Sequence, residues 1–320
     1  MTYTQHIPAP IWADPSARPP HLRQVAIEPI DGFVLIANDL TATNELLLDA
    51  LRRAAPGARF VRPADLGTVV TPARGVARLD VTRNMTGLED GFTELRRFER
   101  SADVMNPASA LIACHDKLAT ARLLGRAELP HPRTVPLLGR HDRAEGLEPP
   151  FVIKPRFGGW GLEVTLCEDR VALGRHIRRV SNTAWFQHQG AIVQELVPPT
   201  GADLRLLVAG GDVVGAVERV SAAGEWRTNV SLGGTRRPTS PPPDVQALAI
   251  AAAAVVRADL VGVDLVRGPD GGYLILELNG AADFRHEYSL HGEDVFDRAA
   301  SRLISPNVAS VGKAALAAGF

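Results

Sequence analysis

The sequence predicts an α/β fold assembled from more than one unit, and three observations carry that prediction. An apolar run from Phe33 to Asp39 (FVLIAND) is followed by leucines and alanines at helical spacing from Asn44 to Ala54, and extended character returns at Phe60–Val61. Two apolar segment pairs in the second half are joined by glycine-rich turns, as in antiparallel hairpins. The chain has 320 residues, 45% hydrophobic and 22% charged, enough for about two domains with an ample core.

Taken in order, residues 1–30 carry six prolines (Pro8, Pro10, Pro15, Pro19, Pro20 and Pro29), a density that predicts an extended arm. Residues 31–107 form a first α/β unit in which the buried strand at Phe33 leads to a helix, and Phe60–Val61 with the following PADL segment restart extended structure. A second unit is expected over 108–190. It opens with one helix from Ser109 to Leu124, stopped by Gly125, and continues with a strand from Pro150 to Pro155 running into a glycine-rich turn. A third unit, 191–305, starts with the strand Ala191 to Leu196, closed by Pro198 and Pro199. Its hairpins are LRLLVA with VVGAVERV about Gly210-Gly211, and GVDLVR with YLILELN about GPDGG, separated by a helix from Asp244 to Ala258. A loose helical tail, 306–320, completes the chain.

Composition narrows the function. Thirty-five Lys+Arg against 36 Asp+Glu leave a net charge of −1, so no bulk positive charge points to nucleic acid. The longest aliphatic stretch, Ala247 to Val256, is too short to span a bilayer, and the proline-broken N-terminus lacks a signal-peptide pattern. Cys114 and Cys167 make no disulfide framework and read as packing residues in a reducing, cytoplasmic setting. The expectation is a soluble cytoplasmic protein with no nucleic-acid or membrane partner; a homo-oligomer stays open.

The second hairpin can be tested on paper. With Asp270-Gly271 as a type I′ turn, Asp264 lies opposite Glu277 with Cβ atoms about 5 Å apart, and Asn279 shares the face of Glu277. Two facing carboxylates repel unless a cation lies between them, and oxygen ligands suit Mg²⁺ or Mn²⁺. The alternative is that both carboxylates face solvent or pair with arginines. Lys154, followed by Gly158, Gly159 and Gly161, can present an ammonium and backbone N–H groups to a polyphosphate, although a glycine turn is often only a turn. In the first hairpin, a Gly210-Gly211 turn puts Asp203 opposite Glu218, with Arg205 on the same face as Asp203. No G-x-G-x-x-G follows the Phe33 strand, which disfavours a dinucleotide-binding dehydrogenase.

The order of Lys154, the glycine turn, Gln194-Glu195-Leu196, Asp203-Leu204-Arg205, Arg227-Thr228-Asn229, Asp264 and Glu277-Leu278-Asn279 resembles that of the ATP-grasp ligases. The closest likeness is to the ribosomal protein S6 glutamate ligase and lysine-biosynthesis carrier-protein ligase group, over about residues 33–304. The resemblance implies an N-terminal α/β domain, a central lid domain and a C-terminal antiparallel-sheet domain. It implies that Lys117 and Lys154 bind nucleotide phosphates, that Glu195 and Leu196 meet adenine, and that Asp203, Arg227, Thr228 and Asn229 make further ATP contacts. Asp264, Glu277 and Asn279 match metal ligands, and Arg205 matches the arginine near the reacting phosphate and acyl group. Gly159 stands where the family has a small hydroxyl residue, and Glu163 where it has a glycine. Trp160 and the segment from Asn279 to Arg285 resemble the carrier-protein ligases more than the S6 type.

The activity implied is an ATP- and Mg²⁺-dependent joining of a carboxylate to an amine through an acylphosphate, catalysed by position and charge with Lys154 and Arg205 offsetting developing negative charge. The rivals are an ATP-grasp kinase and a nucleotide-binding regulatory protein without turnover. Arg83 matches an arginine near the family's substrate cleft, and Arg285 follows the metal-bearing strand closely. Both suit capture of a carboxylate, so one substrate is expected to be an acidic amino acid or a glutamate-terminated chain, with a peptide or small acidic carrier protein as a possible partner. The alternative for Arg285 is an ion pair with Asp283 or Glu287.

Overall fold

The computed structural model describes residues 32–70, 73–139 and 143–304; the arm at 1–30 and the tail at 306–320 lie outside them. Strands β1 (Phe33–Ile36), β2 (Arg59–Val61), β3 (Arg74–Ala77) and β4 (Asp103–Met105) form a parallel sheet in the order β2-β1-β3-β4, with helices α1 (Ala42–Ala54) and α2 (Phe92–Phe98). All four β1 residues are fully buried, which is why the strand reads as an unbroken apolar run. Thr41 starts α1 by accepting a hydrogen bond from the Asn44 N–H. The PADL segment is not extended: Pro63–Thr68 is a 3₁₀ helix with proline in its first turn, where a fixed φ suits helix initiation.

The helix expected from Ser109 to Leu124 is two helices, α3 (Ala108–His115) and α4 (Lys117–Arg126). Asp116 breaks them, because its backbone is extended and its carboxylate accepts from the N–H groups of Leu118 and Ala119. Gly125 lies inside α4 and does not end it; the left-handed residue beyond the end is Glu128, with φ of 55°.

A second sheet has the order β5-β8-β6-β7, from β5 (Thr134–Leu137), β6 (Phe151–Pro155), β7 (Thr165–Cys167) and β8 (Ala191–Glu195), packed with helices α5 (Arg170–Val180) and α6 (Ala184–Gln189). Strand β8 pairs with both β5 and β6, so this sheet runs across the division expected at residue 190.

The third sheet is antiparallel, in the order β11-β10-β9-β12-β13. Its strands are β9 (Ala202–Ala209), β10 (Asp212–Val220), β11 (Thr235–Pro238), β12 (Leu260–Arg267) and β13 (Tyr273–Asn279), joined by α7 (Pro243–Val256) and followed by α8 (Val295–Ile304). Helix α7 covers one face with Leu248, Ala249 and Ala252 against Leu206, Val208 and Val263. Alternation along the strands leaves the polar residues on the other face.

Both hairpin registers carry a bulge. In β9/β10 the glycine turn pairs Val213 with Val208, but one step on Gly215 faces Leu207, so Val214 is extra. Asp203 therefore faces Arg219, not Glu218. In β12/β13 the connection is the longer loop 268–272 and not a two-residue turn at Asp270-Gly271, with the Gly268 N–H donating to the Gly272 carbonyl. A shift beyond Leu265/Ile275 compensates, and Asp264 does lie opposite Glu277. Among the described residues no helix is long and apolar enough to cross a membrane.

Candidate active site

The polar face of the third sheet supplies one wall. Asp203 and Arg205 come from β9, Arg219 from β10, Asp264 from β12, and Glu277 and Asn279 from β13. Arg205 grips Asp264 with two parallel hydrogen bonds, Nε to Oδ1 at 2.6 Å and a terminal nitrogen to Oδ2 at 2.7 Å. Arg219 holds Asp203 in the same way at 2.8 and 2.6 Å, and reaches Asp264 Oδ2 at 2.8 Å. Thr228 adds its hydroxyl to Asp203 at 2.6 Å. Burial alone would push the Asp264 carboxyl upward, but the two guanidiniums outweigh it and hold the group at about 2. Glu277 has the Lys117 ammonium 3.0 Å from its Oε1. The facing carboxylates thus have cationic side chains beside them, and the arginine alternative holds for Asp264.

The second sheet supplies the opposite wall. Lys154, near the end of β6, is buried and donates to Gln194 Oε1 at 2.8 Å; Gln194 in turn donates to Thr134. Burial pushes the Lys154 ammonium down to about 8, against the pull of Glu277. Lys117 opens α4 and also donates to the Gly158 carbonyl, tying that helix to the glycine loop. Asp116 fixes this helix start through Arg156, whose Nε lies 2.7 Å from Asp116 Oδ1.

The glycine loop is stitched to the segment after β10. Arg227 donates to the Gly161 and Val164 carbonyls at 3.0 and 3.3 Å, and Ser231 to the Trp160 carbonyl at 2.7 Å. Glu225 clamps Arg227, whose hydrogen bonds hold the Glu225 carboxyl at about 2. Gly161 has φ of +74°, a conformation that favours glycine, and a Cβ there would crowd the side chain of Asn229. Glu163 keeps a left-handed φ of 54°, the backbone of the glycine it replaces in the resemblance.

Between the walls lies an open cleft. It is lined by Lys117, Lys154, Gly158, Gly159, Gly161, Glu195 and Leu196, and by Asp203, Arg227, Thr228, Asn229, Asp264 and Glu277. Four expected residues lie outside its lining. Arg205 holds Asp264. Asn279 accepts from the Ala281 N–H at 2.9 Å. Arg83 lies over the Trp160 ring, 5.2 Å from its centre. Arg285 is exposed and has no ion pair among the described residues; Asp283 accepts from Thr43, and Glu287 pairs with Arg236 at 3.1 Å. Sequence reasoning missed Arg219, hidden by the bulge, and gave Gln194 no role of its own. Burial pushes both cysteine thiols upward, so they stay protonated packing groups.

Among the described residues no three His, Cys, Asp or Glu side chains form a metal cluster. Two carboxylates and an amide oxygen are hard donors of the kind Mg²⁺ or Mn²⁺ takes, while Asp264 is gripped by two arginines and Asn279 accepts from the Ala281 N–H.

The RimK-like ATP-grasp domain model matches residues 114–297. Among curated proteins, the alpha-aminoadipate–LysW ligase LysX of Sulfolobus acidocaldarius is 29% identical over 196 residues, 60% of this chain and 71% of that protein. A probable alpha-L-glutamate ligase of Aeromonas salmonicida is 32% identical over 211 residues, 64% and 69% of the two chains. Among solved structures, the ATP-grasp ligase PsnB, complexed with a phosphomimetic variant of its minimal precursor, Mg and ADP, aligns with a TM-score of 0.65 at 19% identity, covering 87% of this chain and 99% of that one.

Proposed function

The chain belongs to the RimK-like ATP-grasp family, an ATP-dependent carboxylate–amine ligase in kind, and on that premise we propose how its residues divide the work. The observation that carries the reading is the cleft whose one wall bears Lys154 and Lys117 and whose other bears Asp264 and Glu277. The two lysines and the glycine-loop backbone hold the phosphates of ATP, while Glu195, Leu196 and the apolar lining at Val152 and Leu276 enclose the base. Asp264, Glu277 and Asn279 would hold a divalent ion, which would supply positive charge against the phosphate oxygens. Arg205 fixes Asp264 and places a guanidinium beside the transferred group.

A carboxylate oxygen attacks the γ-phosphorus, ADP leaves, and the acylphosphate is attacked by an amine with loss of phosphate and a proton. No nucleophilic side chain is required. At least one substrate is an acidic amino acid or a glutamate-terminated chain; the exposed guanidinium of Arg285 reads the amino acid's free carboxylate and that of Arg83 a second one. The other partner is a peptide or small acidic carrier protein. The names of the LysW ligase and of PsnB with its precursor support that choice.

The experiment is an ADP-release screen of acidic amino acids against amine, peptide and carrier acceptors, with mass spectrometry of products. Release of ADP and phosphate only when both partners are present, with a new amide in the product, is the expected result. A phosphorylated product without an amine partner overturns the ligase assignment in favour of a kinase.

A further inference from the structure

The connection after β3 does more than carry Arg83. Residues 82–87 fold back on themselves, with the Met85 N–H donating to the Thr82 carbonyl and the Thr82 N–H to the Gly87 carbonyl, both at 2.9 Å. Met85 has φ of 58°, a left-handed conformation that a non-glycine residue keeps only where its surroundings hold it. What holds it belongs to another unit. The Met85 side chain is buried in the core of the second sheet with Ile153 and Trp185, and its Cγ lies 3.7 Å from where a Cβ on Gly158 would stand.

The Met85 carbonyl accepts a hydrogen bond from Gln189, the last residue of α6. Gln189 is nine-tenths buried and uses its whole amide. Its Oε1 accepts from the Phe157 N–H, and its Nε2 donates to the Phe157 carbonyl at 2.9 Å as well as to Met85. One side chain therefore grips both polar groups of the residue that opens the glycine loop and the tip of the 82–87 loop. Two residues from that tip, Arg83 lies over Trp160, itself within the glycine loop.

We propose that Gln189 is a positioning residue that joins the nucleotide-binding glycine loop to the 82–87 loop, so that seating a nucleotide also holds Arg83 over Trp160. This rests on the nucleotide reading given above and deepens it. ATP and the carboxylate substrate would then be bound in an assisted order, the first ordering the loop that the second needs.

The test is hydrogen–deuterium exchange on the full chain with and without a non-hydrolysable ATP analogue and Mg²⁺. In the wild type, the analogue should slow exchange at least tenfold both over 156–163 and over 82–88. Gln189→Met keeps the side-chain length and removes every hydrogen bond; it should retain slowing over 156–163 and lose it, to within twofold, over 82–88. Gln189→Glu, should the first variant fold poorly, keeps an acceptor for Phe157 but no donor for Met85, and should uncouple the same segment. In both variants the KM for the carboxylate substrate should rise more than the KM for ATP. Met85→Leu keeps the carbonyl and should keep both responses. Unchanged slowing over 82–88 in the Gln189 variants, or equal loss in Met85→Leu, overturns the proposal. Absence of slowing over 156–163 in the wild type overturns the nucleotide site itself, and the coupling with it.

Discussion

At Lys154 a single side chain is expected to set both nucleotide affinity and its pH response. Burial lowers its ammonium from 10.5 to about 8, so between those values the unfolded chain keeps a proton that the folded chain has released. The nucleotide-free protein gains stability from this group as pH rises through that window, and bears the full cost of the buried charge below it. Phosphate binding needs the ammonium, so affinity runs the other way. The Kd of an ATP analogue is expected to weaken roughly tenfold from pH 7.5 to 9.0, while Lys154→Arg should flatten the profile and Lys154→Ala should cost about 1.5–3 kcal/mol at neutral pH. Calorimetry across pH checks this; a flat wild-type profile would show that Lys154 does not meet the phosphates. Asp264 and Glu277 face each other yet should respond differently to loss of charge. Asp264→Asn removes the carboxylate that Arg205 holds and one of the two that Arg219 holds, and should destabilise the fold by about 3–5 kcal/mol. Glu277→Gln loosens Lys117 at a partly exposed site and removes the pull on Lys154, and should lower thermal stability less than Asp264→Asn while abolishing turnover. Equal melting temperatures for the two variants would contradict the pairing seen here.

At the scale of elements, most strands and the pairing of Asp264 with Glu277 were legible in the sequence, because apolar runs and glycine turns report burial and chain reversal directly. The breaks were not. Val214 is an ordinary apolar residue, and nothing in its type marks it as the extra residue that turns Arg219 toward Asp203. The loop 268–272 and the later shift in β13 cancel, so the right register came from a turn of the wrong length. Asp116 sits within a run that reads as one helix, and the Arg156 that grips its capping carboxylate is forty residues away in sequence. Of the site, the lysines, glycines and carboxylates were legible through their order along the chain, whereas Gln189, which bonds two segments distant in sequence, had no local signal. The helix break has a measurable consequence. Asp116 caps α4 and receives Arg156 from the glycine-loop side, so Asp116→Ala should lose about 1–2 kcal/mol of cap energy. By releasing the helix start that carries Lys117, it should also weaken nucleotide binding. Urea unfolding and calorimetry on the one variant measure both; lost stability with unchanged nucleotide affinity would make Asp116 a cap and nothing more.

For the whole molecule, the decisive fact is how the cores are shared. Phe33, Leu35, Leu47 and Leu51 of the parallel unit lie in one cluster with Leu207, Phe284, Phe296 and Leu303 from the third unit. Phe284 and Phe296 stack with ring centres 4.7 Å apart. Arg78 adds a polar tie, donating to the carbonyls of Ala281 and Ala282, and Thr43 donates to Asp283. The second sheet has a separate core, to which the parallel unit contributes Met85. Free energy of opening follows such boundaries, so the first and third units should unfold together while the second, carrying the glycine loop, opens at lower cost. The helix that carries Lys117 packs through Leu124 into the core of the third sheet, so of the two lysines only Lys154 belongs to the separately cored unit. Phe296→Ala tests this division. Emptying that stacked site should cost about 3–5 kcal/mol, and the cost should be felt wherever the shared core is felt. Native-state hydrogen exchange should therefore accelerate by roughly a hundredfold or more for the slowest amides of β1 as well as those of α8, though the two are separated by more than 250 positions in sequence. The amides of β6 and β8 should change far less. Acceleration confined to α8, with β1 protected as before, would mean that the parallel unit is stable without its partner.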